Sequence, residues 1–102
     1  MIFRQGDVLI ESVSAIPKKV KVAKRENGRI ILAYGEATGH AHAIADQSTK
    51  SFVDESGTLF LSVKAGTKIQ HQEHLTVNLP VGNYKITIQR EYTPEGLRNV
   101  HD

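Results

Sequence analysis

Four of the five histidines in this 102-residue chain lie in two short segments, His40-Ala41-His42 and His71-Gln72-Glu73-His74. The chain has no cysteine and no tryptophan, and we find no nucleophile motif or phosphate-binding loop in it. Imidazole nitrogens are ligands for divalent metals, and the metal expected here is zinc, with iron, manganese or nickel as alternatives. The four histidines are therefore the predicted ligands of a divalent transition metal.

The first histidine segment has the spacing of a strand-borne ligand pair. Side chains two residues apart in a β-strand point to the same face, about 6.5–7 Å apart, so His40 and His42 would converge on one metal ion. The intervening Ala41 and the following Ala43 are small and allow close packing on the opposite face. Gly39 permits a tight bend where the strand begins.

The second histidine segment allows two geometries. An extended chain places His71 and Glu73 on one face and turns His74 away, whereas a turn brings His71 and His74 together. Three ligands with an open position would permit catalysis, and four would make a closed structural site. In a catalytic site, Glu36 or Glu73 would act as the proton shuttle. The sequence does not decide whether the protein is an enzyme.

The apolar residues recur with a period near two, which predicts strands rather than helices. The predicted strands are 7–13, 19–22, 29–34, 40–45, 51–53, 59–63, 68–71, 75–79 and 84–90. Asn27-Gly28 predicts a tight hairpin between the second and third strands, and residues 54–58 predict another. Thr93-Pro94-Glu95 has the pattern of a short C-terminal helical turn. The fold class is therefore all-β, a small antiparallel barrel or sandwich.

Length and composition predict one domain covering residues 1–102. No apolar run approaches the roughly 20 residues that cross a bilayer, so no membrane contact is expected. The first residues lack the pattern of a secretory signal and read directly into structure. With no cysteine, disulfides and thiolate catalysis are excluded. A cytoplasmic location is the default expectation.

Positive charge is concentrated in residues 18–29, which hold six basic residues and one acidic residue, although the whole chain carries only +2. Such a segment can contact nucleic-acid phosphates or a protein partner. The predicted contacts are Lys19, Lys21, Lys24 and Arg25. No aromatic stacking residue is interleaved, and the lysines can equally protect an exposed strand edge from pairing.

A further hypothesis is that the protein is a homo-oligomer whose interface is lined by the histidines.

The segment from Gly35 to Asp46 resembles the first motif of the cupins, a glycine followed by His-x-His and then an acidic residue. The resemblance implies a cupin-like barrel in which His40 and His42 bind the metal. It also implies Asp46 as a third ligand.

The segment 80–82 is similar to the Pro-x-Gly of the second cupin motif. That motif continues with a histidine three residues after the glycine, where this chain has Lys85. His71 or His74 would then have to supply the missing ligand from another position.

Residues 4–10, 35–44 and 89–95 resemble a family of small uncharacterised bacterial and phage proteins. This resemblance implies a compact cytoplasmic accessory protein and gives no residue a role. Together with the histidine segments, it predicts a small metal-binding β-barrel protein. The alternative is a non-enzymatic module that binds nucleic acid or protein through the basic segment.

Overall fold

The computed structural model describes residues 1–35 and 39–89, and within these ranges the chain is all-β, as the alternating pattern predicted. The strands are β1 (Ile2–Gln5), β2 (Val8–Val13), β3 (Val20–Val22), β4 (Ile30–Tyr34), β5 (Ala41–Ile44), β6 (Lys50–Asp54), β7 (Leu59–Val63), β8 (Thr67–Ile69), β9 (Val77–Leu79) and β10 (Gly82–Ile88). None of the described residues belongs to a helix long and apolar enough to span a membrane.

The strands form one large antiparallel sheet and two small ones. The large sheet has the order β1-β2-β10-β7-β6-β3, and the small sheets are the pairs β4-β5 and β8-β9. An isolated bridge between Ala43 and Gln70 connects β5 to the end of β8. This bridge joins the two small sheets at the place where the two histidine segments lie.

The hydrophobic core lies between the large sheet and the small sheets. Alternate residues point inward, as strand geometry requires. The buried cluster is Val8, Ile10, Ile30, Leu32, Ile44, Leu61, Val63, Ile69, Leu79, Tyr84 and Ile86. Full burial of such aliphatic side chains stabilises the fold by roughly 1.5–3 kcal/mol each. The core therefore fixes the relative positions of β2, β5 and β8, from which the histidine site is built.

The described strands do not close into a barrel, so the predicted cupin-like barrel is not supported. The large sheet ends at β1 on one side and β3 on the other, and the small sheets remain separate. The predicted C-terminal helical turn at 93–95 lies outside the described residues.

The Asn27-Gly28 turn forms, but the long hairpin predicted around it does not. Both residues have positive φ, 54° and 78°, as a type I′ turn requires, and Glu26 and Arg29 exchange two backbone hydrogen bonds. Beyond this pair the strands separate, because β3 pairs with β6 while β4 pairs with β5. The separation follows from burial, since β4 inserts its alternate residues into the core.

A strand that the sequence pattern did not predict, β1, pairs with β2 along its whole length. The two are joined by Gly6 and Asp7, and Gly6 has a φ of 60°. A glycine with positive φ in the first position is the pattern of a type II′ hairpin turn. This turn lies against the histidines and becomes part of their site.

Candidate metal centre

Three of the four predicted histidine ligands meet at one end of the core. One ring nitrogen from each of His42, His71 and His74 lies within 4.8 Å of the other two. The ring centroids are 4.3 Å apart for His42 and His71 and 4.6 Å apart for His71 and His74. His42 is buried, His71 is half-buried and His74 is exposed. A metal ion held by this triad would have protein behind it and solvent in front.

The bridge between β5 and β8 explains why His42 and His71 meet. Ala43 and Gln70 donate to each other's carbonyl oxygens at 3.0 and 2.9 Å, so they form a hydrogen-bonded antiparallel pair. The next pair along is His42 and His71. It belongs to the non-hydrogen-bonded class, in which facing side chains come closest. Residues 29 positions apart are thus brought together by the sheet register.

The second histidine segment takes the bent geometry of the two that the sequence allowed. Residues 72–74 form a bend, which brings the His74 ring back to His71. Gln72 holds this bend on β5, since its Oε1 accepts from the Ala41 N–H at 3.1 Å and its Nε2 donates to the Gly39 carbonyl at 3.3 Å. The bend therefore has its own anchor on the first histidine segment.

Gln5 fixes the orientation and the tautomer of His42. Its Nε2 donates to the carbonyls of Ile69 and Leu75, both at 2.9 Å. These two bonds identify the other amide atom, Oε1, as the acceptor that faces His42 Nδ1 at 2.8 Å. His42 must therefore carry its proton on Nδ1 and present an unprotonated Nε2. Metal-binding histidines are held in this way by a partner on the second nitrogen.

Two glycines leave room for the imidazole rings. A Cβ at Gly6 would lie 2.9 Å from His74 Nε2 and 3.3 Å from His42 Cε1. A Cβ at Gly35 would lie 2.9 Å from His71 Nε2 and 3.1 Å from the Cβ of His40. A side chain at Gly6 or Gly35 would therefore force the His74 or the His71 ring to shift from its observed position.

The electrostatic environment keeps the buried histidines neutral. Burial lowers the pKa of His42, and the neighbouring His71 and His74 lower it further against an opposing effect of Asp7. Burial also lowers the pKa of His71, with His74 and His40 acting in the same direction. Neutral imidazole is the form that binds a metal. His42 and His71 are therefore both biased toward this neutral form.

His71 must change one contact in order to bind a metal. Its Nδ1 accepts the backbone N–H of Glu73 at 2.9 Å, so the neutral ring carries its proton on Nε2. A metal on Nδ1 would replace this hydrogen bond. A metal on Nε2 would require the proton to move to Nδ1, which would also break it. The bend at residues 72–74 would therefore have to move slightly if His71 bound a metal.

His40 lies beside the triad rather than within it. Its ring centroid is 5.8 Å from that of His71, and its Nδ1 is 3.3 Å from Glu73 Oε1. That approach is not aligned as a hydrogen bond, so the buried Nδ1 has no hydrogen-bond partner among the described residues. The rings of His40 and His42, which are two residues apart in the chain, thus both lie near His71. Only His42 joins the cluster of three.

Asp46, the third ligand that the cupin resemblance implies, does not join the histidine cluster within the described residues. The Asp46 carboxylate accepts hydrogen bonds from the hydroxyls of Ser48 and Thr49 at 2.8 and 2.6 Å. These bonds lower the pKa of Asp46 to about 2. Its role is therefore to hold a turn. Glu36 lies outside the described residues.

The basic segment is divided between a surface role and a structural one. Lys19, Lys21 and Lys24 are exposed on or beside the edge strand β3. Arg25 instead donates to the carbonyls of Asp46 and Thr49 at 2.8 and 2.7 Å. The Arg25 guanidinium therefore holds together the corner where the chain leaves β3.

Sequence reasoning missed the contribution of the β1–β2 turn, which supplies Gln5, Gly6 and Asp7 to the site. Asp7 Oδ1 lies 3.9 Å from His42 Nε2, and its side chain is half exposed. The available signal was the Gly-Asp dipeptide, which is typical of a two-residue hairpin loop. Nothing in the sequence linked that hairpin to the histidines.

Comparison with known proteins gives a family and no function. No curated protein and no solved structure matches the chain. One family, described as a domain of unknown function (DUF8820), matches residues 4–89, a range that contains the whole histidine cluster and the β1–β2 turn. The chain therefore belongs to the DUF8820 family.

Proposed function

We propose that this protein binds one divalent transition-metal ion, zinc in the first place, through His42, His71 and His74. The observation that carries the proposal is the approach of three ring nitrogens to within 4.8 Å of one another. Three imidazoles with a further open position are a donor set that zinc commonly takes, and iron, manganese or nickel are the alternatives.

The surroundings of the triad support binding rather than chance crowding. Contacts among three neutral imidazole rings stabilise the fold only a little. His42 is nevertheless oriented by the buried Gln5, and two glycines leave space for the rings. Burial and the neighbouring imidazoles also disfavour the protonated form of His42 and His71. A metal ion is the partner that these three rings would bind once His71 gives up its hydrogen bond from the Glu73 N–H.

Zinc titration of the tag-free protein tests this proposal. We expect uptake of one equivalent with micromolar affinity or better, measured with a competing chromophoric chelator. His42→Ala should abolish uptake because it removes the buried ligand. His40→Ala is the matched control, since it deletes a neighbouring histidine outside the triad and should retain binding. Absence of micromolar uptake by the unaltered protein would refute the proposal.

We propose, as a second and separate function, that the edge of β3 contacts nucleic-acid phosphates. What supports it is that Lys19, Lys21 and Lys24 are exposed and form no salt bridge with any residue in 1–35 or 39–89. Binding of this kind weakens steeply with added salt. Replacement of the three lysines by glutamine should abolish binding to a DNA or RNA oligonucleotide in a polarisation assay. Unaltered binding by that variant would exclude the lysine edge.

A further inference from the structure

We propose that Asp7 is the fourth ligand of this centre, so that the complete donor set is three imidazole nitrogens and one carboxylate oxygen. The inference rests on the proposed metal site and goes beyond it by adding a residue that lies outside both histidine segments. It also predicts a preference for metals that accept mixed nitrogen and oxygen ligands.

The geometry places Asp7 at ligand distance. Its Oδ1 is 3.9 Å from His42 Nε2. Two atoms bound to the same ion at about 2.0–2.2 Å are separated by about 3.4 Å at a tetrahedral angle and by about 4.2 Å when they lie opposite each other. The observed separation lies between these limits.

The protonation state of His42 gives the carboxylate a reason to be there. Gln5 holds the imidazole proton on Nδ1, so Nε2 faces Asp7 with a lone pair rather than a proton. A lone pair and a carboxylate oxygen repel each other across this distance, whereas a cation between them attracts both.

The backbone of the turn supports this placement. The Asp7 carbonyl accepts the Gln89 N–H at 2.7 Å, which fixes the turn against the residue that directly follows β10. The preceding Gly6 allows the ring of His74 to approach. Three consecutive residues thus contribute to the site: Gln5 orients a ligand, Gly6 makes room for another, and Asp7 supplies an oxygen.

Glu73 is the rival carboxylate, and its geometry is less suitable. Its side chain is 63% exposed, and the carboxylate approaches Nδ1 of His40, which lies outside the triad, at 3.3 Å. Its backbone N–H is already directed at His71 Nδ1. The structure therefore favours Asp7 over Glu73 as the oxygen ligand.

The test compares Asp7→Asn with Glu73→Gln and Glu55→Gln in zinc and cobalt titrations. All three variants remove one negative charge. Asparagine suits a tight turn, so the fold should be retained, and the melting temperature of the metal-free protein checks this. We expect Asp7→Asn to weaken zinc binding by at least about tenfold and to change the visible spectrum of the cobalt-loaded protein. The exposed Glu55 lies on the β6–β7 turn and should have no effect.

The outcomes separate this inference from the proposed function. If the unaltered protein takes up neither metal, both proposals are refuted. If it binds and Asp7→Asn retains the same affinity and spectrum, the metal site stands and the Asp7 ligand is refuted. An equal loss of affinity in Asp7→Asn and Glu73→Gln with an unchanged cobalt spectrum would show only a charge effect, and it would also refute the ligand. A larger loss confined to Asp7→Asn, with a changed spectrum, supports it.

Discussion

His42 Nδ1 donates a hydrogen bond to Gln5 Oε1 at 2.8 Å, in a part of the core where both side chains are only 2% exposed. The same Gln5 donates to the carbonyls on either side of the 70–74 segment. A single amide therefore orients one histidine of the cluster and closes the loop that carries two others. This relationship makes the geometry of the site dependent on β1.

Gln5→Ala should destabilise the protein and weaken metal binding together. The change leaves the Ile69 carbonyl and His42 Nδ1 without their buried partner, at roughly 1–3 kcal/mol for each group. Loss of an orienting partner typically lowers metal affinity by about 10–100-fold. Thermal unfolding and zinc titration measure the two effects.

The matched control for this variant is Gln47→Ala, because Gln47 also donates to two carbonyls, at 2.9 Å, but is exposed. It should change the melting temperature little and leave zinc affinity unaltered. Equal effects of the two substitutions would contradict the role assigned to Gln5.

Gly6→Ala should disrupt the histidine cluster beyond its effect on the backbone. An L-residue in the left-handed conformation costs about 1–2 kcal/mol, and the new Cβ would lie 2.9 Å from His74 Nε2. Gly57→Ala is the control, since Gly57 has a φ of 88° but no atom within 4 Å of its added Cβ. Both variants should lower the melting temperature, and only Gly6→Ala should weaken zinc binding. Intact binding in Gly6→Ala would argue against His74 as a ligand.

Most of the strands could be predicted because alternation is a local property of the sequence. In β7, for example, Leu61 and Val63 are buried and the intervening Ser62 is half-buried. Strand pairing is not local, and here the sequence was misleading. Asn27-Gly28 predicted that its flanking strands pair with each other, yet burial of Ile30 draws β4 into the second layer.

The site was predictable in its residue types but not in its arrangement. The two-residue spacing leaves both His40 and His42 near His71, with ring centroids 5.8 and 4.3 Å from its ring, although His40 precedes β5. The spacing could not show that His74, rather than His40, completes the cluster of three. That choice depends on the bend anchored by Gln72. A glutamine 37 positions before His42 carries no sequence signal of contact with it.

Asp46→Asn should destabilise the protein at neutral pH and not at pH 2. Hydrogen bonds from Thr49 and Ser48 lower the folded-state pKa of Asp46 from 3.8 to about 2. The unfolded carboxyl takes up a proton first as pH falls, so the stabilisation is complete above pH 3.8 and is lost as pH falls through about 2. Denaturant unfolding at pH 7 and pH 2 measures the difference. The same destabilisation by Asp46→Asn at both pH values would contradict the assignment.

Acidification should destabilise the metal-free protein through its neutral histidines. The folded-state pKa of His42 and of His71 lies below the ordinary value of 6.5, so the unfolded chain binds protons first as pH falls. Stability is therefore greatest above about pH 6.5 and decreases as pH falls toward the folded-state pKa values.

Melting temperatures of the metal-free protein between pH 8 and pH 5 measure this effect. His71→Gln should flatten the pH dependence, since it removes one titrating group and relieves the repulsion that lowers the pKa of His42. In the zinc-loaded protein the same acidification should also release the metal, because protons compete for the ligand nitrogens. A melting temperature that rises on acidification would reverse the predicted sign and show that the rings are stabilised in their charged form.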